Sequence, residues 1–404
     1  MKKFIILLII TTLFFSCLGD QNGNNGPNGS NGQKDDKNKD PYADFEITQI
    51  VHSPNAKRLM NYLSDQYGIK IIAGQQDAAW TTNFGIDMTY RVFEDTGKYP
   101  AIKGFDFLDL PFSWGDYGYE QLDEAIDWWN GKNRNDGGPL VKLLPDKPDI
   151  HGIITFCWHW RTGEHNEFYT NRTDFRIPWD EENEKLDTLS DDFKNTIISD
   201  LDKIAMRLKE LKDLDIPVLW RPLHEAAGNW RLYNNTGNAG AWFWWGASGP
   251  EPYIALWEFM YWYFTTVKEL NNLIWVWNGQ NSEWYPNPIT VDIVGYDVYA
   301  PAKDYGSQKN RFLQTKQMVP NQDKIVAMTE NGQIPDPQKC FDDEAMWSWF
   351  CTWNDHVGPP GETNSENFWT GEFNNTLVHR QYVYNHELVI TLDKLPDLTK
   401  YRLD

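Results

Sequence analysis

Two short runs place a glutamate at the end of a β-rich stretch: Arg221-Pro222-Leu223-His224-Glu225 and Thr329-Glu330-Asn331-Gly332. Two carboxyl groups on facing elements are what glycosidic cleavage requires. One protonates the departing oxygen. The other attacks the anomeric carbon from about 5–5.5 Å, or activates a water across about 6.5–9.5 Å. Their environments must hold one protonated and the other ionised. Arg221, two pleats before Glu225 and on the same face, offers a fixed cation to keep an attacking carboxylate charged and oriented. Further polar and aromatic groups close other β-rich runs: Trp158-His159-Trp160, Tyr296-Asp297-Val298-Tyr299 and Trp353-Asn354-Asp355-His356. A lone strand-end glutamate is more often a helix cap or a surface charge, but two in such settings point to chemistry. Trp158 and Trp353 have a plainer reading as packing, and His159 and His224 as satisfied rim residues.

The elements that must carry these groups alternate between two periods. Strand-like runs span 70–76, 99–107, 151–160, 216–225, 273–278, 291–299, 324–330 and 346–354. Between them lie stretches of helical period, clearest over 195–215, where Ile197, Leu201, Ile204, Leu208 and Leu211 share one face. Helices are also expected over 55–67, 88–96, 121–129, 252–272 and 377–385. Eight βα units without a Gly-rich phosphate loop predict an α/β fold, a closed TIM (β/α)8 barrel in one catalytic domain over residues 45–395. Barrel chemistry sits at the C-terminal strand ends, where these groups collect. Strict alternation puts His224 and Glu225 on opposite faces. Both reach one cavity only if the pleat relaxes at the strand tip.

A metal-dependent hydrolase is the competing reading, with His159, His224, Asp297 and Glu330 as ligands. The first strand ends Gln75-Gln76-Asp77 with no His-x-His, so neither a metal nor another cofactor is expected. Cys157, Cys340 and Cys351 have no zinc-type spacing; Cys340 and Cys351 fit a disulfide as well as they fit separate buried thiols.

Net charge is −21, so nucleic acid is not an expected partner. With 21 Trp, 19 Tyr and 21 Phe, many in Gly/Asn-rich loops, the chain suits a neutral sugar polymer stacked on aromatic faces. Lys2 and Lys3 precede an apolar run from Phe4 to Phe15 that is too short to span a bilayer, then Ser16-Cys17. This reads as a lipoprotein-type signal over residues 1–17 with Cys17 lipidated. Residues 18–44 then form a flexible tether, in a monomer of the bacterial envelope that meets the membrane only through its lipid.

The run Trp220-Arg-Pro-Leu-His-Glu-Ala-Ala-Gly-Asn-Trp230, followed by Trp242-Phe-Trp-Trp-Gly246, resembles the acid/base motif of glycoside hydrolase family 26. Ile72-Ala-Gly-Gln75, Gly104-Phe-Asp106, Trp158-His159, Asp297-Val-Tyr299, Thr329-Glu330-Asn-Gly332 and Trp353 follow in the matching order. The resemblance implies a retaining β-1,4-mannanase acting on mannan or manno-oligosaccharides, with Glu225 as acid/base and Glu330 as nucleophile. It implies that His159 and Trp353 line the attacked sugar, that His224 takes the substrate-binding place next to the acid/base, that Tyr299 hydrogen-bonds the nucleophile, and that Trp230 forms an aromatic wall. Arg231–Ala241 interrupt the motif here, so Trp242 competes with Trp230 for that wall. Mixed-linkage β-glucan and β-1,3-xylan are the alternative substrates, and a non-catalytic glycan-binding lipoprotein is the alternative of another class.

Overall fold

The structure, a computed structural model, describes residues 40–77, 87–108, 117–132, 147, 149–162, 167–230, 240–355, 364 and 366–404. The signal-like segment with Cys17, most of the tether, most of the Arg231–Ala241 interruption and His356 lie outside these residues.

Eight parallel strands close on themselves. They are β1 (Ile71–Gln76), β2 (Ile102–Asp106), β3 (Ile153–Cys157), β4 (Val218–Arg221), β5 (Leu273–Trp277), β6 (Ile293–Val298), β7 (Ile325–Asn331) and β8 (Trp349–Thr352). Each pairs with the next, and β1 pairs with β8 through Ile72↔Trp349 and its successors, which completes the barrel. The strands are buried along almost their whole length, as expected where helices cover one face and a packed interior the other. All eight expected strands are present, and all but β7, which is shifted one residue on, are shorter than their apolar runs. The run over 216–225, for instance, is a strand only to Arg221.

The covering helices follow from their caps. Ser53 caps α1 (Pro54–Gln66), with proline at its first turn, and Asp87 caps α2 (Met88–Thr96), which stops at Gly97 in the left-handed region. Next come α3 (Tyr117–Trp129), α4 (Ser199–Asp213) and α5 (Pro250–Trp262). A π-helical turn, Phe193–Ile198, leads into α4, and another, Tyr263–Val267, ends the helix begun by α5. The sequence pattern did not disclose α6 (Lys309–Met318) or α7 (Pro337–Asp342); α8 (Leu377–Tyr384) it did.

The compact unit runs from Pro41 to Asp404, beyond the expected 45–395 at both ends. Tyr42 packs edge-on against Phe259, and Tyr401 against Tyr62, while Arg402 pairs with Asp65. These contacts supply the burial that composition alone did not reveal. Most of the tryptophan is core rather than sugar platform. Among the described residues thirteen tryptophans are under 2% exposed, including Trp158, Trp160, Trp244 and Trp245 of the loops. Cys157, Cys340 and Cys351 are separate buried thiols, so Cys340 and Cys351 are not bridged.

One ion cluster fixes the outside of β2. Lys103 Nζ lies 2.5 Å from Glu124, 3.0 Å from Asp77 and 3.5 Å from Asp87, all buried. Burial, then Asp77 and Asp87, push Glu124 up to about 8 despite the ammonium. Removing one partner of a buried ion group strands the others, which costs about 3–5 kcal/mol. Lys103→Ala is therefore expected to lose that much in urea unfolding. Lys132→Ala, at an exposed pair with Asp127, should change stability by less than about 1 kcal/mol.

Candidate active site

Strand β4 ends at Arg221, and the chain does not continue as a relaxed pleat. Leu223 and Glu225 both take left-handed backbone, at φ 49° and 50°. This corrects the expectation for the strand tip. Two left-handed steps, rather than a softened pleat, let His224 and Glu225 lie on one side. Hydrogen bonds hold the turn. Glu225 N donates to Asn278 O (2.7 Å) and Ala227 N to Gly279 O (3.2 Å), so the loop after β5 props it up. Gly228 follows at φ 49°, and a Cβ there would come within 2.7 Å of Trp242 N.

Opposite, β7 contains one residue too many for its neighbours. Tyr296 pairs with Met328, but Asp297 pairs with Glu330. On the other side Phe350 pairs with Met328 and Thr352 with Asn331. Thr329 is thus a bulge, and it sets Glu330 beside Asp297. Oxygens of Glu225, Asp297 and Glu330 all fall within 4.8 Å of one another.

Arg221, buried, holds two of them. Its Nη1 donates to Asp297 Oδ2 (2.8 Å) and its Nη2 to Glu330 Oε2 (2.6 Å). The Tyr299 hydroxyl donates to Glu330 Oε1 at 2.5 Å. Asp297 Oδ1 accepts from Asn278 Nδ2 (2.7 Å) and from Thr329 Oγ1 (2.8 Å). Among the described residues Glu225 has no cation of its own, and it is hydrogen-bonded by Gln280. Burial, then the charges of Asp297 and Glu330, push Glu225 well above the usual carboxylate range. Burial and Asp297 also raise Glu330, to about 7, with Arg221 and the Tyr299 hydroxyl opposing them. The arrangement supplies a protonated acid facing an anchored anion.

His159 and His224 meet at 3.3 Å, Nε2 to Nε2. Phe168, Phe243 and Trp353 surround His159 with ring centroids 5.0, 5.6 and 5.9 Å away. Burial, then Arg221 and His159, hold His224 well below the usual imidazole range.

Seven of the eight expected site residues therefore converge: Glu225, Glu330, Arg221, His159, His224, Tyr299 and Trp353. Trp230 is half-buried, edge-on to Trp284 at 5.5 Å and against Gly249. Trp242 is 38% exposed. His159, His224, Asp297 and Glu330, the ligands of the competing metal reading, are each committed to protein partners. Sequence reasoning did not single out Asp106, which grips His159, nor Asn278, Gln280 and Phe243. Asp106 and Phe243 lay within the family-like motifs without a role, and the signal of Asn278 and Gln280 was position alone, just past the end of β5.

A profile of glycosyl hydrolase family 26 matches residues 51–394. The chain is 32% identical over 369 residues to a mannan endo-1,4-beta-mannosidase of Thermothelomyces thermophilus, covering 88% of this chain and 65% of that protein. It is 32% identical to mannan endo-1,4-beta-mannosidase A of Piromyces sp, over 85% of this chain and 49% of the other. The chain thus spans about half to two thirds of these relatives' length. Among solved structures, a beta-mannanase from a symbiotic protist of the termite Reticulitermes speratus, complexed with gluco-manno-oligosaccharide, aligns at 28% identity and TM-score 0.66. That alignment covers 87% of this chain and 99% of the other. The Podospora anserina GH26-CBM35 beta-(1,4)-mannanase aligns at 30% identity and TM-score 0.65, over 89% and 72%.

The left-handed turn has a direct test. A β-branched side chain at positive φ is strongly disfavoured, at about 1–3 kcal/mol. Leu223→Val should lose at least that in chemical denaturation, whereas Leu219→Val, in regular strand, should lose only about 1 kcal/mol. Equal losses would mean the turn at 223 is not left-handed in solution.

Proposed function

The chain belongs to glycosyl hydrolase family 26, and from that premise we propose that it is an endo-β-1,4-mannosidase working by double displacement. Mannan, glucomannan or galactomannan is the substrate, Glu225 the acid/base and Glu330 the nucleophile. One observation carries the reading. A carboxyl pushed toward protonation has an oxygen within 4.8 Å of a carboxylate that Arg221 and Tyr299 hold. That spacing suits direct attack and leaves little room for an intervening water.

The steps follow from the charges. Glu225, kept protonated, gives its hydrogen to the departing glycosidic oxygen. Glu330 attacks the anomeric carbon and forms a glycosyl ester. Glu225, now ionised, takes a proton from an incoming water, which attacks the same carbon and releases Glu330. His159 and Trp353 flank the attacked sugar, and Tyr299 orients the attacking oxygen. The gluco-manno-oligosaccharide complexed with the termite-protist enzyme supports a mannose-containing substrate here.

Protonation is needed only for a poor leaving group, so Glu225→Ala should be inactive on mannan yet partly active on an aryl mannoside bearing a good leaving group. On mannan the wild type should lose activity on both sides of its pH optimum. As pH falls, Glu330 becomes protonated; as pH rises, Glu225 loses its proton. On the aryl mannoside Glu225→Ala should show the acid limb alone, read in kcat/KM between pH 4 and 10. Glu330→Ala should lose activity on both substrates by several orders of magnitude. Near-normal turnover of mannan by either variant would overturn the assignment.

Stereochemistry tests the mechanism separately. Two inversions retain the β configuration, so proton NMR recorded before mutarotation should detect β reducing ends first. α ends appearing first would mean an inverting mechanism, and Glu330 would not be a nucleophile.

A further inference from the structure

Behind His159 stands Asp106, at the tip of β2, a carboxylate that the proposed chemistry does not itself use. Its Oδ1 accepts the His159 backbone N–H at 3.0 Å, and its Oδ2 meets His159 Nδ1 at 2.6 Å. Burial opposes the charge on Asp106, but His159 and Arg221 together hold it below the usual carboxylate range. An ionised carboxylate only accepts hydrogen bonds, so the hydrogen in the 2.6 Å contact sits on Nδ1 of His159. Across the ring, the 3.3 Å gap between the two Nε2 atoms holds one further hydrogen.

His224 decides where that hydrogen belongs. It is fully buried and neutral, and its Nδ1 has no hydrogen-bond partner among the described residues. If His159 owned the gap hydrogen, His224 would carry its own on Nδ1, as an orphaned buried donor. If His224 owns it, only a lone pair is stranded there. The second arrangement costs less, because orphaned buried donors are rarer than under-used acceptors.

We propose that Asp106 is a positioning residue that sets the tautomers of both histidines, Nδ1–H on His159 and Nε2–H on His224. His159 Nε2 is thereby an acceptor, available to a hydroxyl of the attacked sugar; this last point rests on the function proposed above. The arrangement needs two acceptors on residue 106, because two N–H groups of His159 point at it. Asparagine has one acceptor oxygen and one NH2 group. The backbone N–H cannot change, so it claims the oxygen, and the NH2 then faces Nδ1. His159 must shed its Nδ1 hydrogen and become Nε2–H. That hydrogen fills the gap, and His224 must move its own to the orphaned Nδ1. Asp106→Asn thus reverses both tautomers while leaving the packing volume unchanged.

The test is long-range 15N–1H NMR of the full chain labelled at histidine, with His159 and His224 assigned from single substitutions. The wild type should give a protonated Nδ1 at His159 and a protonated Nε2 at His224. In Asp106→Asn both patterns should swap. Its kcat on mannan should fall by about 10²–10⁴, the range that a reversed tautomer costs in a serine-protease triad at its upper end. KM should change by less than about threefold. A wild-type His159 bearing its hydrogen on Nε2 alone overturns the proposal, and so does a swap that leaves kcat within fivefold. If Asp106→Asn does not fold, the wild-type spectrum still decides. The spectrum needs no substrate, so an enzyme inactive on mannan would sink the functional reading while leaving the tautomer result to stand or fall separately.

Discussion

Arg221 places one permanent positive charge among three carboxyl groups, and the rest of the site is arranged around that imbalance. A guanidinium does not deprotonate in a protein, and its planar fork serves two carboxylates at once. Asp297 and Glu330 take its two arms. Glu225 is left as the third carboxyl, within 4.8 Å of both. At an effective dielectric of about 20, two like charges at that distance repel by about 3.5 kcal/mol. Burial adds to this, so the carboxyl without a cation keeps its proton. The asymmetry between an acid and an anion thus comes from counting charges around one arginine.

The backbone makes the counting possible. A regular strand cannot aim two adjacent side chains at one cavity, and regular pairing would not set Glu330 beside Asp297. Two irregularities solve these problems on opposite walls of the barrel. Left-handed steps at Leu223 and Glu225 turn the end of β4, and the Thr329 bulge re-aims β7. Each is held by the groups it serves. Asn278, after β5, receives the Glu225 amide at its carbonyl while its side chain donates to Asp297 and to Thr329. One asparagine therefore links the turned strand, the bulge and the buried anion. The strain is stored where the chemistry is and offset by hydrogen bonds on the neighbouring strand.

Much of this was legible beforehand. The eight apolar runs with helical spacing between them read as a closed barrel because burial on both faces leaves an uninterrupted apolar signal. Glu225, Glu330 and Arg221 stood out because two strand-end glutamates, each inside a polar motif, outweigh the plainer reading of either one as a cap or a surface charge. What escaped notice had no signal in residue type. Asn278 and Gln280 are ordinary loop residues until the fold brings them under Glu225. Asp106 sat inside a family-like motif, yet nothing in its neighbours indicated that His159, over fifty positions away, would donate to it twice. The bulge was invisible because an extra residue in an apolar strand leaves its composition unchanged. Trp230, placed by its motif as a wall of the cleft, has its ring edge-on to Trp284. Among the described residues, loop tryptophans are more often buried than exposed.

On the proposed mechanism, the same charge count also explains how Glu225 changes role between the two steps. Before attack, two anions near Glu225 keep it protonated, as an acid must be. Forming the ester on Glu330 removes one of them, along with about 3.5 kcal/mol of repulsion. Asp297 is then matched one to one with Arg221. Glu225, having just passed its proton to the leaving oxygen, sits in a site where its own negative charge is tolerated for the first time. It can remain ionised long enough to take a proton from water. Hydrolysis of the ester restores the charge on Glu330, the repulsion returns, and Glu225 holds the proton it has gained. No group has to move for this cycle. The covalent state of Glu330 sets the proton affinity of Glu225, and Arg221 keeps that coupling strong by holding both other carboxylates in place.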